Sequence, residues 1–134
     1  MPNETALHQI AGKLPRITPR VHSILDFAIA GAFIAAGFIF FRRNKRASLG
    51  AAMCGAATLA VSAITDYESH GGKQLSYRSH GQVHAGLVTL AGAVPRLLDF
   101  EDENEANFFR AAAAAGTVVT VATDYELKPK RLKS

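Results

Sequence analysis

Histidine and carboxylate side chains recur in this sequence at a helical spacing. His22 and Asp26 are four residues apart, as are His80 and His84, and this spacing places both members of a pair on one face of a helix. Imidazole and carboxylate groups together are typical ligands of Zn²⁺, Fe²⁺ and Mn²⁺. We therefore predict a site for one of these divalent metal ions. The candidate ligands are His22, Asp26, Asp66, His80, His84 and Asp124.

A repeated tetrapeptide relates the two halves of the chain. Thr-Asp-Tyr-Glu occurs at 65–68 and again at 123–126, and Val-His occurs at 21–22 and at 83–84. The tetrapeptides are offset by 58 residues (124 − 66 = 58) and the Val-His pairs by 62 (84 − 22 = 62), a difference of about one helical turn. A tandem duplication of one helical hairpin explains both repeats. The two copies are 17–68 and 79–126.

The duplication divides the candidate ligands into a symmetric set and two additional residues. The symmetric set comprises His22, His84, Asp66 and Asp124. Asp26 and His80 are then either extra ligands or hydrogen-bond partners that fix the tautomer of the ligating histidines. Neither His-Glu-x-x-His nor Glu-x-x-His occurs in the sequence, so no hydrolase or di-iron motif matches and the catalytic residues stay unassigned.

Four stretches without Asp, Glu, Lys or Arg must supply the helices that position these residues. A soluble amphipathic helix would carry a charged or amide side chain every three or four residues, and these stretches do not. We predict an all-α fold, an integral membrane four-helix bundle with helices at 17–41, 47–66, 79–98 and 105–125. The alternative is a soluble, alanine-rich four-helix bundle, since the fourth charge-free stretch has only thirteen residues.

The membrane prediction fixes the domain organisation and the topology. An N-terminal tail (1–16) precedes the membrane domain (17–126), and a basic C-terminal tail (127–134) follows it. Each hairpin crosses the bilayer twice, so both copies enter from the same side and their pseudo-twofold axis runs along the membrane normal. The candidate ligands therefore gather at one membrane face.

Basic residues indicate the location and the partners. The basic runs at 42–46 and 128–133 adjoin predicted membrane helices, which favours contact with lipid headgroups over nucleic-acid binding. Nine Lys and Arg residues lie on the face that holds the termini and six on the other face, so we predict cytoplasmic termini. Since the predicted loops between the helices are short, we also expect a multi-pass protein of a bacterial inner membrane. Its expected partners are the lipid bilayer and either a second copy of the chain or another membrane protein.

Three functions fit these residues. The first is divalent metal binding, with or without catalysis. The second is a non-catalytic membrane interaction module, in which the polar cluster is a structural lock between the hairpins. The third is haem binding, with His22 and His84 as axial ligands. Cys54 is the single cysteine, which excludes an intramolecular disulfide and a thiolate zinc cluster.

Overall fold

Four helices make up most of the described chain. A computed structural model describes residues 16–67, 73–123 and 125. The helices are α1 (Pro19–Phe40), α2 (Lys45–Ile64), α3 (Tyr77–Leu97) and α4 (Ala106–Ala122). The all-α prediction is confirmed, and each predicted helix overlaps one of these four. Asp124 and nearly all of both predicted tails lie outside the described residues.

Side-chain caps fix where three of the helices begin. Thr18, Asn44 and Ser76 each accept a hydrogen bond from the backbone N–H three residues later, at 3.3, 3.1 and 3.2 Å. Such caps satisfy backbone donors that have no partner within the helix. Pro19 follows the first cap at a helical position where the missing N–H of proline costs no hydrogen bond.

Two short parallel pairings join the hairpins at the end where α1 and α3 begin. β1 (Thr65–Asp66) pairs with β2 (Leu75–Ser76), with Thr65 opposite Leu75. Ile17, before α1, pairs in parallel with Thr123, after α4. Both threonines have extended backbones, with ψ angles of 132°. For this reason α2 and α4 end two to three residues before the predicted positions.

The apolar core lies toward the other end of the bundle, near the turns that connect the helices of each hairpin. α1 packs most extensively on α2, and α3 on α4. A Cβ atom added at Gly55 would lie 3.1 Å from the Ile34 backbone nitrogen, so glycine allows α1 and α2 to approach closely. The buried core residues are Phe33, Ala36, Ala47, Ala51, Cys54, Ala91, Val94, Phe100, Ala106 and Phe109.

Two helices are long and apolar enough to cross a membrane. α1 and α2 meet this criterion by length and composition, whereas α4 is apolar but has 17 residues. α3 is not among the candidate spans. Two candidate membrane spans are therefore present in the described chain. The other two predicted spans, and the orientation of the termini, stay predictions.

Candidate metal centre

Asp26 lies at the centre of a buried polar cluster between α1 and α3. Its side chain has no exposed surface, and its Oδ2 lies 3.0 Å from His22 Nε2 and 2.8 Å from His80 Nε2. Its Oδ1 lies 3.2 Å from His84 Nε2. All three imidazoles are also buried, with at most 4% of any residue exposed. One carboxylate therefore contacts three imidazoles at a site shielded from water.

Four of the six predicted ligands meet at this point. The metal-binding atoms of His22, Asp26 and His80 all lie within 4.8 Å of one another, close enough to hold one metal ion. His84 is the fourth residue, through its contact with Asp26. Asp66 lies half-buried in β1. The ligand roles of Asp66 and of Asp124, which is outside the described residues, stay predictions.

Three threonines orient the histidines, and the sequence analysis missed them. Every histidine of the cluster has a threonine hydroxyl within 2.8 Å of its Nδ1. The pairs are His22 with Thr123, His80 with Thr65, and His84 with Thr120. The repeated tetrapeptide was the available signal for two of these threonines, since Thr65 and Thr123 are its first residues.

The threonines also determine which ring nitrogen carries a proton. Each hydroxyl donates its one hydrogen to the backbone carbonyl four residues earlier, at 2.6 Å for Thr65, 2.8 Å for Thr120 and 2.6 Å for Thr123. Each hydroxyl must therefore accept a hydrogen bond from the histidine Nδ1–H. In a neutral imidazole, the Nε2 atom that faces Asp26 then carries a lone pair. The acceptor atoms of His22, Asp26 and His80 then lie within 4.8 Å of one another, and His84 adds a contact with Asp26 Oδ1.

Two of the three threonine–histidine contacts cross between the hairpins. Thr65 follows α2 and contacts His80 of α3, whereas Thr123 follows α4 and contacts His22 of α1. His22 and His80 are 58 residues apart, the same separation as between Thr65 and Thr123. The contacts thus follow the offset of the tetrapeptides. The Val-His pairs, which are offset by 62 residues, instead relate His22 to His84, one helical turn beyond His80.

Three tyrosine rings pack against the histidines. The ring centroids of Tyr67, Tyr77 and Tyr125 lie 6.2, 5.8 and 5.5 Å from that of His22. The Tyr67 hydroxyl donates a hydrogen bond to Asp26 Oδ2 at 2.9 Å. Burial and the nearby Asp26 carboxylate raise the pKa of Tyr67 above its ordinary value, so the phenol stays protonated and remains a donor.

The haem alternative finds no support among the described residues. The ring centroids of His22 and His84 are 5.2 Å apart. The Asp26 carboxylate contacts the Nε2 atom of both rings. A porphyrin would have to pass between these rings, where the carboxylate already lies.

No family model, curated protein or solved structure matches the chain. The function is therefore inferred from the contacts of the cluster. The contacts combine burial, a group of three potential metal ligands with His84 beside it, and ring nitrogens whose protons are held by threonine.

Proposed function

We propose that this chain is a small multi-pass membrane protein in which one divalent metal ion ties two helical hairpins together. The ligands are the Nε2 atoms of His22, His80 and His84 and the carboxylate of Asp26. The proposal rests on the buried group of His22, Asp26 and His80, whose metal-binding atoms lie within 4.8 Å of one another, with His84 held against Asp26 Oδ1. Because the ligands come from α1 and α3, the ion joins one helix of each hairpin.

Charge balance favours a metal ion over protons. Without a metal, each contact between a histidine and Asp26 needs a proton on Nε2, and a ring that also carries Nδ1–H is then a cation. Three imidazolium ions around one carboxylate would leave excess positive charge where water cannot solvate it.

Three of the proposed ligands lie close enough together to share one ion. A zinc ion with bonds of about 2.0–2.1 Å separates neighbouring ligand atoms by roughly 3.3 Å. The Nε2 atoms of His22 and His80 are 3.3 Å apart and lie 3.0 and 2.8 Å from Asp26 Oδ2, so these three ligands already enclose one position, and His84 reaches Asp26 through Oδ1 at 3.2 Å. Asp26 Oδ1 is buried and accepts no hydrogen bond from any described residue, which leaves its lone pairs available to a cation.

The donor set favours Zn²⁺ among the three candidate ions. Imidazole nitrogen binds Zn²⁺ well, and Fe²⁺ and especially Mn²⁺ bind a given nitrogen site more weakly. Four protein ligands in a buried site are typical of structural zinc, whereas catalytic zinc keeps a position open for water. We therefore assign the ion a structural role.

Exposed apolar side chains support the membrane part of the proposal. Phe38 on α1, Leu97 on α3 and Val118 on α4 have exposed fractions of 80%, 66% and 63%. Soluble monomers rarely expose large contiguous apolar patches. Apolar exposure on three helices, together with two candidate spans, supports a bundle surrounded by lipid.

The crosswise threonine–histidine contacts support the tandem duplication. In the proposed symmetry a 58-residue offset relates His22 to His80, Asp26 to His84 and Thr65 to Thr123. Thr18 and Ser76, which cap α1 and α3, have the same offset. The pseudo-twofold axis then passes through the metal ion, and each hairpin supplies two of the four ligands.

A hydrogen-bonded lock without metal is the second candidate function. Separations of 2.8 and 3.0 Å between the histidines and Asp26 Oδ2 also match charge-assisted hydrogen bonds. The two candidate functions predict different metal contents for the purified protein. Elemental analysis of the chain purified in detergent separates them, since only the first candidate predicts one equivalent of metal.

Thr65→Val is expected to weaken zinc binding by roughly 10- to 100-fold, as loss of an outer partner of a ligating histidine typically does. Valine keeps the shape of threonine but cannot accept the Nδ1–H of His80. Competition with a chromogenic chelator measures the affinity. Thr117→Val is the matched control, since Thr117 makes the same bond to a carbonyl four residues earlier, at 2.8 Å, on an exposed surface. Equal effects of both substitutions would contradict the assigned tautomer.

Gly81→Ala is expected to release zinc several-fold faster without removing a ligand. A Cβ atom at Gly81 would lie 2.9 Å from ring carbons of Tyr125, so the alanine displaces a ring that packs against His22. Transfer of zinc to excess chelator in stopped flow measures the rate. Gly86→Ala on the same helix is the control, because no atom lies within 4 Å of its added Cβ. An unchanged release rate in Gly81→Ala would show that Tyr125 does not cover the ion.

A further inference from the structure

A groove runs along the outside of the first hairpin near its turn. It has a volume of about 290 Å³. Ser48 Oγ donates a hydrogen bond to the Gly37 carbonyl at 2.6 Å, so the hydroxyl group in the groove is already paired. The remaining lining is apolar, and 80% of Phe38 and 63% of Phe41 are exposed. The lining residues are Ile34, Gly37, Phe38, Phe41, Ser48 and Ala52.

Three exposed cations lie at the end of this groove. Arg42 and Arg43 follow Phe41 in the turn, and Lys45 begins α2. Within the described ranges, no ion pair includes any of the three. Arg46, by contrast, points to the Asp99 carboxylate at 3.5 Å. An apolar groove therefore ends at a cluster of positive charge.

Stabilisation of α2 does not explain these cations. The positive end of the helix dipole lies at a helix N-terminus and disfavours cations there. The first turn of α2 contains no acidic residue to offset them. Arg42 and Arg43 also follow the C-terminus of α1, where the helix dipole favours cations, and the Asn44 side chain beside them contacts Glu103 and Glu105. Since the three cations make no ion pair within the described ranges, they are available to an anion outside the chain.

We infer that this hairpin binds one anionic phospholipid, with an acyl chain in the groove and the phosphate at Arg42 and Arg43. The inference rests on the membrane part of the proposed function and is independent of the metal ion. An acyl chain matches the apolar lining, and a headgroup phosphate at the level of the turn matches the cations. A zwitterionic phospholipid would fill the groove but would match the charge less well.

The absence of tryptophan from the sequence allows a direct test. The full-length variant Phe38→Trp places a single tryptophan in the groove. It is reconstituted in phosphatidylcholine vesicles that contain a minor fraction of either brominated phosphatidylglycerol or brominated phosphatidylcholine. We expect the phosphatidylglycerol to quench at a lower mole fraction. The expected preference is roughly 25-fold, from about fivefold for each of two cations near the headgroup.

Charge substitutions provide the second arm of the test. Arg42→Gln with Arg43→Gln, in the tryptophan variant, is expected to abolish the preference but to leave quenching by both lipids. Arg20→Gln with Lys73→Gln removes two cations elsewhere and is expected to preserve the preference. Equal quenching by the two brominated lipids before substitution would overturn the lipid site. Protein that stays outside the vesicle fraction would overturn the membrane proposal itself.

Discussion

Alanine in place of His80 is expected to abolish stoichiometric metal binding and to leave the helices in place. His80 Nε2 makes the shortest contact with Asp26, at 2.8 Å, and its ring is 1% exposed, so water cannot easily replace the lost ligand. The expected loss of affinity exceeds the roughly 10- to 100-fold that removal of an outer partner causes. Elemental analysis after purification in detergent measures metal content, and far-ultraviolet circular dichroism measures helix content. His22→Ala and His84→Ala are expected to behave in the same way.

The control for this experiment lies on the same helix. Gln82→Ala changes an exposed side chain between the two ligands of α3 and should keep one equivalent of metal. Retention of one equivalent in all three histidine variants would exclude this cluster as the binding site. Loss of helix content together with metal would call for His80→Gln, which fills more of the volume. We expect His80→Gln to keep the helices and to lose the metal.

Removal of the metal from the native chain is expected to lower its thermal stability strongly. A ligand present at about 1,000 times its Kd stabilises the folded state by roughly 4 kcal/mol. For a chain of this size that corresponds to a fall of roughly 8–16 °C in Tm on chelation. Thermal unfolding in detergent, followed by circular dichroism with and without a membrane-permeant chelator, measures the difference. Addition of Zn²⁺ after chelation should restore the original Tm.

The chelator should have no effect on a chain that cannot bind metal. The His80→Ala variant is therefore expected to unfold at the same temperature in both conditions. A native chain whose Tm is insensitive to chelator and to added Zn²⁺ would support the hydrogen-bonded lock. In the lock, hydrogen bonds between Asp26 and the histidines join α1 to α3. A chelator removes no part of these bonds, so the Tm stays the same.

The helices and the ligand pairs could be predicted from the sequence. Stretches without charge marked all four helices. A spacing of four residues placed His22 with Asp26 and His80 with His84 on common helix faces. Four of the six candidate ligands accordingly meet in one cluster.

The arrangement within the cluster was not accessible from the sequence. Spacing within a helix defines a face, but the rotation of α1 relative to α3 depends on packing throughout the bundle. The sequence analysis therefore gave Asp26 a secondary position, whereas its carboxylate contacts all three histidines. Thr120 carries no signal in sequence, because a threonine near the end of a helix commonly bonds to a carbonyl in the preceding turn.

The most direct test of the account is the metal content of the native chain. Elemental analysis and a visible spectrum of the detergent-purified protein, before and after dialysis against Zn²⁺, give the identity and the stoichiometry of the ion. We predict one equivalent of Zn²⁺ per chain and no Soret band. A protein that holds no metal after purification, and still none after exposure to Zn²⁺, would contradict the metal site and leave the cluster as a hydrogen-bonded lock.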